Sequence, residues 1–236
     1  MTLRESIHEL RKKFHEKITN FKLVKICTTA IIFVYLPLLV IGVIIAAFFG
    51  PEGYTIWTHY ISDLGSIRYT PAPYLYDLAA IIAGILTIPF SFYMEQLLAP
   101  IPKSEEDLAK TSRLRLRLGS YAFLFSIIGN ISYIGVGIFS EDRNYFGLHG
   151  ITSVLSFVGF TFGAFFMGWL IVLYAKDIPK SIGIYGIVGP TATIITYQLI
   201  DTFDIPLTEL FEWILLFSIL AWIIPLALYL FNQNER

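Results

Sequence analysis

The stretch ICTTAIIFVYLPLLVIGVIIAAFF, residues 26–49, runs without a single charged side chain. At about 1.5 Å per residue, a helix of this length crosses the ~30 Å hydrocarbon core of a bilayer. It is also longer than the apolar segment of a signal peptide and carries no small-residue cleavage site, so it is expected to persist as a membrane span. The same pattern recurs along the chain. Apolar blocks at about 24–49, 74–98, 116–139, 149–174, 182–202 and 208–231 are separated by short polar connections. The whole chain is 56% hydrophobic and 15% charged, whereas soluble domains carry about 25% charge. These features predict an all-α fold, a polytopic membrane bundle of six transmembrane helices. Pro89, Pro190 and Pro225 fall inside blocks, where neighbouring helices satisfy the freed carbonyls, and they predict kinks. Gly159/Gly163 and Gly183/Gly186/Gly189 are expected to let helices approach closely.

Outward from the first span, Leu3, Ile7, Leu10, Phe14, Ile18 and Phe21 recur at steps of three and four, opposite Arg11, Lys12, Lys13 and Lys17. Residues 1–22 are therefore expected to form an amphipathic interfacial helix on the cytoplasmic side, with Thr2 and Glu5 as a capping box. Residues 23–231 form the six-helix domain, and 232–236 a cytoplasmic tail. Orientation follows from the cations: fifteen of the seventeen Lys and Arg lie in the N-terminal segment, the 99–118 loop, the 175–181 loop and the tail. Only Arg68 and Arg143 lie in the other connections, which predicts both ends in the cytoplasm of a cell-membrane protein. Ser104 with Asp107 is read as the cap of a helix running on into the third span.

Composition also excludes functions. A formal net charge of -1 gives no basic face for nucleic acid. One cysteine, Cys27, rules out an intrachain disulfide and a Cys-rich zinc site. There is no HExxH, Walker loop or GxSxG elbow.

With this orientation the unusual polar residues gather at the external end. His59 and Asp63 lie in the first connection, and Asn130 and Tyr133 near the end of the third block. His149 opens the fourth, Gln198 and Asp201 end the fifth, and Glu209 and Glu212 open the sixth. Ionisable groups at membrane depth are costly unless paired or hydrated, so they mark candidate sites. Asp63, His149 and Glu212 are the candidate catalytic residues, as general acid and base or as ligands of a carboxylate-rich divalent metal site. Asn130, Tyr133, Gln198, Asp201, Glu209 and His59 are candidate ligand-binding residues. A hydrogen-bonded network clamping helix ends uses the same residue types. No cofactor is specified beyond that metal set, and membrane lipids are the expected partners.

Ser62-Asp63-Leu64-Gly65, Gly135-Val136-Gly137-Ile138-Phe139 with acids following, His149 and Glu212 stand in an order that resembles the domain-of-unknown-function family 998. Those are six-span membrane proteins of archaea and bacteria, and the resemblance covers about residues 25–231. Phe139-Ser140 departs from the Phe-Pro of that pattern. The chain is also distantly similar to the Frag1/DRAM/Sfk1 group, some of whose members are linked to lipids. The resemblance implies a six-span fold and no specific reaction. The leading expectation is an external acid- and His-lined pocket that binds, and in a catalytic version processes, a lipid or other amphiphile. The alternatives are a small proton- or cation-coupled transporter or channel, and a non-catalytic structural or partner-binding membrane protein.

Overall fold

The computed structural model describes residues 3–102 and 104–233, with the side chains of residues 3–5 and 8 outside it. The capping box expected from Thr2 and Glu5 and most of the 232–236 tail therefore lie outside the described residues. Helix α1 (Leu3–Ile18) ends at Thr19, and the Asn20 side chain starts the next helix by accepting from the amides of Lys22 and Leu23. The first long helix runs from Phe21 to Phe49 as α2 (Phe21–Ala30), a π turn (Ile31–Tyr35) and α3 (Leu36–Phe49). Pro37 accounts for the π turn: it has no N–H to give, and its ring would clash with the carbonyl four residues back, which the wider turn relieves.

There follow α4 (Tyr74–Leu98), the short α5 (Glu105–Lys110), α6 (Arg113–Ile138), α7 (Leu148–Tyr174), α8 (Lys180–Thr202) and α9 (Thr208–Gln233). Ser104 does cap a helix, accepting from the Asp107 amide at 3.1 Å. That helix is α5 alone. It stops at Thr111, whose extended backbone separates it from α6, so the expected continuation into the third span does not form.

Five helices are long and apolar enough to cross a membrane: Phe21–Phe49, Tyr74–Leu98, Arg113–Ile138, Tyr145–Tyr174 and Thr208–Gln233. Their outer faces are apolar and bare, with Phe33 73% and Phe48 79% exposed, which suits hydrocarbon and not water. The chain is thus a membrane-embedded helical protein. Helix α8 is diluted by Gly, Thr and Gln residues.

The helices pack as an arc. The first long helix lies on α4, α4 on α6, α6 on α7, α7 on α8, and α8 on α9, while α9 also touches α7. At one end of the arc's gap the rings of Phe21 and Phe231 meet at 6.1 Å. One buried cluster gathers there around Val24, Met94, Leu170 and Leu226. A second, around Tyr35, Ile61, Leu64, Tyr76 and Trp213, fills the other end.

Glycines let α6 and α7 pack backbone to backbone. A Cβ on Gly159 would lie 2.4 Å from the amide nitrogen of Gly129, and one on Gly163 2.7 Å from Ser126 Oγ. Gly183 likewise faces Gly168, and Gly186 lies under the Trp222 indole. Gly189 differs, since its close neighbour is Tyr185 of its own helix. Gly159→Ala is therefore expected to destabilise the folded protein by about 1–3 kcal/mol through backbone overpacking. Gly150→Ala, on the same helix with open space around it, is expected to be neutral. Thermal unfolding in detergent measures both; equal melting temperatures for the two variants would sink this account of the α6–α7 contact.

Candidate functional site

The connection between α3 and α4 folds back over the end of the bundle and makes a lid. Its centre is a 3-10 turn, Ser62–Gly65, with all four residues buried. Two carboxylates hold it. Asp63, 5% exposed, reaches back three residues and accepts from the Tyr60 amide at 2.9 Å. Glu212, 7% exposed on α9, accepts from the Ile61 amide at 2.7 Å through Oε2. The next residue of α9, Trp213, donates its indole N–H to the His59 carbonyl at 3.1 Å, and the Tyr54 hydroxyl donates to the Tyr60 carbonyl at 2.7 Å. Backbone groups that would be stranded at a buried lid are thus satisfied by side chains.

The connection between α6 and α7 braces the lid from the other side. Ser66 donates to Asp142 Oδ1 and the Ile67 amide to Asp142 Oδ2, both at 2.8 Å, while Ser62 donates to Glu141 at 3.4 Å. Arg143 pairs with the buried Asp77 of α4 at 2.6 Å and donates to the carbonyls of Gly137 and Ile138, capping α6 with a cation where the helix dipole favours one.

The Glu141 carboxylate lies near Asp63, and a second negative charge beside a buried carboxyl favours its protonated form. Burial, and then the Glu141 carboxylate, push Asp63 from the ordinary aspartate value of 3.8 up to about 7, against the opposing effect of the Tyr60 amide.

Beneath the lid, an elongated cavity with an empty volume of about 980 Å³, including its open part, fills the gap of the arc. Ser62, Ile61 and Glu212 line its lid end. Its walls are Tyr35 and Leu36 from the first long helix, Ala83 from α4, Val136 from α6, Phe157 and Phe160 from α7, and Leu216 to Ile224 along α9. The hydroxyls of Tyr35, in the π turn, and Tyr133 meet at 2.8 Å on its flank. A second cavity shares Thr87, Phe160, Ile219 and Ile223 with the first and is lined by Asn130, Ser91 and Trp222. Asn130 is 0% exposed; its amide donates to Ser91 at 3.0 Å, and its oxygen has no partner.

The structure brings together only part of the residue set expected from sequence. Asp63 and Glu212 share the lid, with half-buried Glu209 nearby, and Tyr133 lines the cavity. His149 is buried elsewhere: its Nδ1 lies 2.7 Å from the Phe139 carbonyl, which only accepts, so Nδ1 carries the proton and clamps the end of α6. Among the described residues no three His, Cys, Asp or Glu side chains form a group that could hold a metal ion. The metal set of Asp63, His149 and Glu212 is therefore not assembled, because His149 is tied to α6 and not to the lid.

His59 stacks on Tyr54 at 5.0 Å and uses Nδ1 on Thr58 at 2.9 Å. Gln198 and Asp201 are exposed at the end of α8 and do not line the cavity, although Asp201, like Glu209, lies near Tyr60 at the edge of the lid. Glu141, Ser62, Tyr35 and Trp213 were not among the expected site residues. Glu141 had a usable signal, since the acids after Phe139 face the Ser62–Asp63 turn once both connections are placed at one end.

Comparison with protein-family models, curated proteins and solved structures gives no match. The reading of the site therefore rests on its own chemistry.

A raised aspartate stabilises the fold in its protonated form. That stabilisation is complete below the unfolded value near 3.8 and fades as pH climbs through about 7. The melting temperature in detergent is expected to fall from about pH 5 to about pH 8. Asp63→Asn keeps an acceptor for the Tyr60 amide and offers Glu141 a permanent donor, so it should flatten that slope. A wild-type melting temperature that rises over the interval would contradict the assignment.

Proposed function

We propose that this chain is a six-span protein of the cell membrane, N-in and C-in, whose extracytoplasmic cavity binds the chain of a lipid or similar amphiphile. The observation that carries the reading is the cavity's polarity profile. It is apolar along most of its length and ends at one carboxylate, Glu212, and one serine, Ser62, beneath a closed lid. A mostly apolar slot with an acid and a hydroxyl at its lid end matches an amphiphile. The gap lies between the first and last spans, so a lipid chain enters from the bilayer without crossing water.

Helix α8 supplies the sixth span. At 23 residues it is long enough to cross, and it packs between α7 and α9. The charge asymmetry then sets the lid outside and α1 inside, where the exposed Ile7, Leu10 and Phe14 of α1 rest in the interface. Binding is favoured over ion-coupled transport because no Asp, Glu, His, Lys or Arg other than Glu212 lines either cavity; the deeper polar groups are hydroxyls and the Asn130 amide.

Two measurements test this reading. Ala83→Trp fills the cavity from its back wall, and the protein purified from membranes should lose its associated lipid in native mass spectrometry, whereas Val154→Trp on an exposed face should keep it. Retention of the lipid by Ala83→Trp would sink the cavity reading. In a Cys27→Ser background, an impermeant maleimide should label Thr58→Cys in intact cells and leave Leu108→Cys unlabelled; the reverse pattern would invert the topology.

A further inference from the structure

The lid end of the cavity is acidic in a way that discriminates among amphiphiles. Glu212 uses Oε2 for the Ile61 amide, and among the described residues Oε1 has no hydrogen-bond partner, although it is not sealed from the cavity. Ser62 lines the same end of the cavity and donates to Glu141 at 3.4 Å, and Asp63 follows it in the lid turn. No lysine or arginine lines the cavity. The two arginines on this side are engaged, Arg143 with Asp77 and Arg68 with Glu52 at 3.7 Å. The free Glu212 oxygen belongs to a side chain that is more than nine-tenths buried, so an occupant of the cavity, and not bulk water, is its available partner.

An anionic head placed here would be buried beside acids with no cation to pair with, and an unpaired buried charge is costly. A head that donates hydrogen bonds would meet free acceptor capacity on Glu212 and Ser62. Along α9 the lining runs from Glu212 to Ile224, about 18 Å at the helical rise, which is the reach of one long alkyl chain.

We propose that the cavity selects single-chain amphiphiles whose heads are uncharged or cationic hydrogen-bond donors, alcohols or amines, and rejects phosphate and carboxylate heads. The proposal rests on the lipid-binding reading above and adds the class of head to it.

The test uses the full chain in nanodiscs of a neutral phospholipid, with a chelator present. Hexadecanol, hexadecylamine and hexadecyl phosphate are offered at equal mole fraction, and bound amphiphile is counted by native mass spectrometry. Hexadecanol and hexadecylamine should each be retained about tenfold more than hexadecyl phosphate, a difference of ~1.4 kcal/mol. Glu212→Gln keeps an acceptor for the Ile61 amide and should shrink the preference to about threefold or less. Ser62→Ala, which leaves that lid bond untouched, should lower hexadecanol retention if Glu212→Gln does not fold. Equal retention of all three probes overturns the head preference and leaves the cavity reading standing. Failure of all three to bind, or equal binding by Ala83→Trp, overturns the cavity reading itself.

Discussion

A single hydrogen bond, from the Ile61 amide to the Glu212 carboxylate, joins residues 151 positions apart and decides the shape of the lid end of the bundle. A carboxylate buried on an apolar helix needs a donor, and an amide in a buried turn needs an acceptor. Each solves the other's problem only if the α3–α4 connection folds over the bundle and not away from it. Once it does, Asp63 is carried against Glu141, Ser66 meets Asp142, and Trp213 reaches the His59 carbonyl. The lid follows from that bond, and the cavity is what the lid closes.

The space beneath the lid has a separate cause. Pro37 widens the first long helix into a π turn and swings Tyr35 inward to Tyr133, while glycines draw α6 against α7 on the opposite side. The arc therefore packs densely along its back and leaves its two ends, the first long helix and α9, apart. They meet through Phe21 and Phe231 at one end and through the lid at the other. Close packing elsewhere makes the gap a feature of the fold and not a general looseness.

Most of the helical architecture was legible from the apolar blocks, because bilayer thickness imposes a length that sequence displays directly. Five of the expected blocks form helices that meet the length and apolarity needed to cross. Helix α8 was harder, since residues that let it pack against α7 and α9, such as Gly183 and Gly186, also dilute its hydropathy. The site was legible only in part. Asp63 and Glu212 stood out as acids beside apolar runs. His149 looked equivalent, but it follows a left-handed Gly147 that turns it toward the end of α6. Asp201 and Gln198 stand at the right end of α8, but sequence does not display that the packing of α8 between α7 and α9 leaves them exposed and outside the cavity lining. The cavity left no trace in sequence, for Ala83, Leu216 and Ile223 read the same whether they face a neighbour, a void or lipid.

The central claim is that the gap between the first and last spans is a ligand site closed by the Glu212-held lid. Its most direct measurement is a high-resolution density map of the protein in lipid nanodiscs. The account predicts continuous elongated density between Leu36 and Leu220, ending within hydrogen-bonding distance of Glu212 under an ordered Ser62–Gly65 turn. A map in which the two helices close on each other, or in which the turn leaves Glu212 for water, would contradict it.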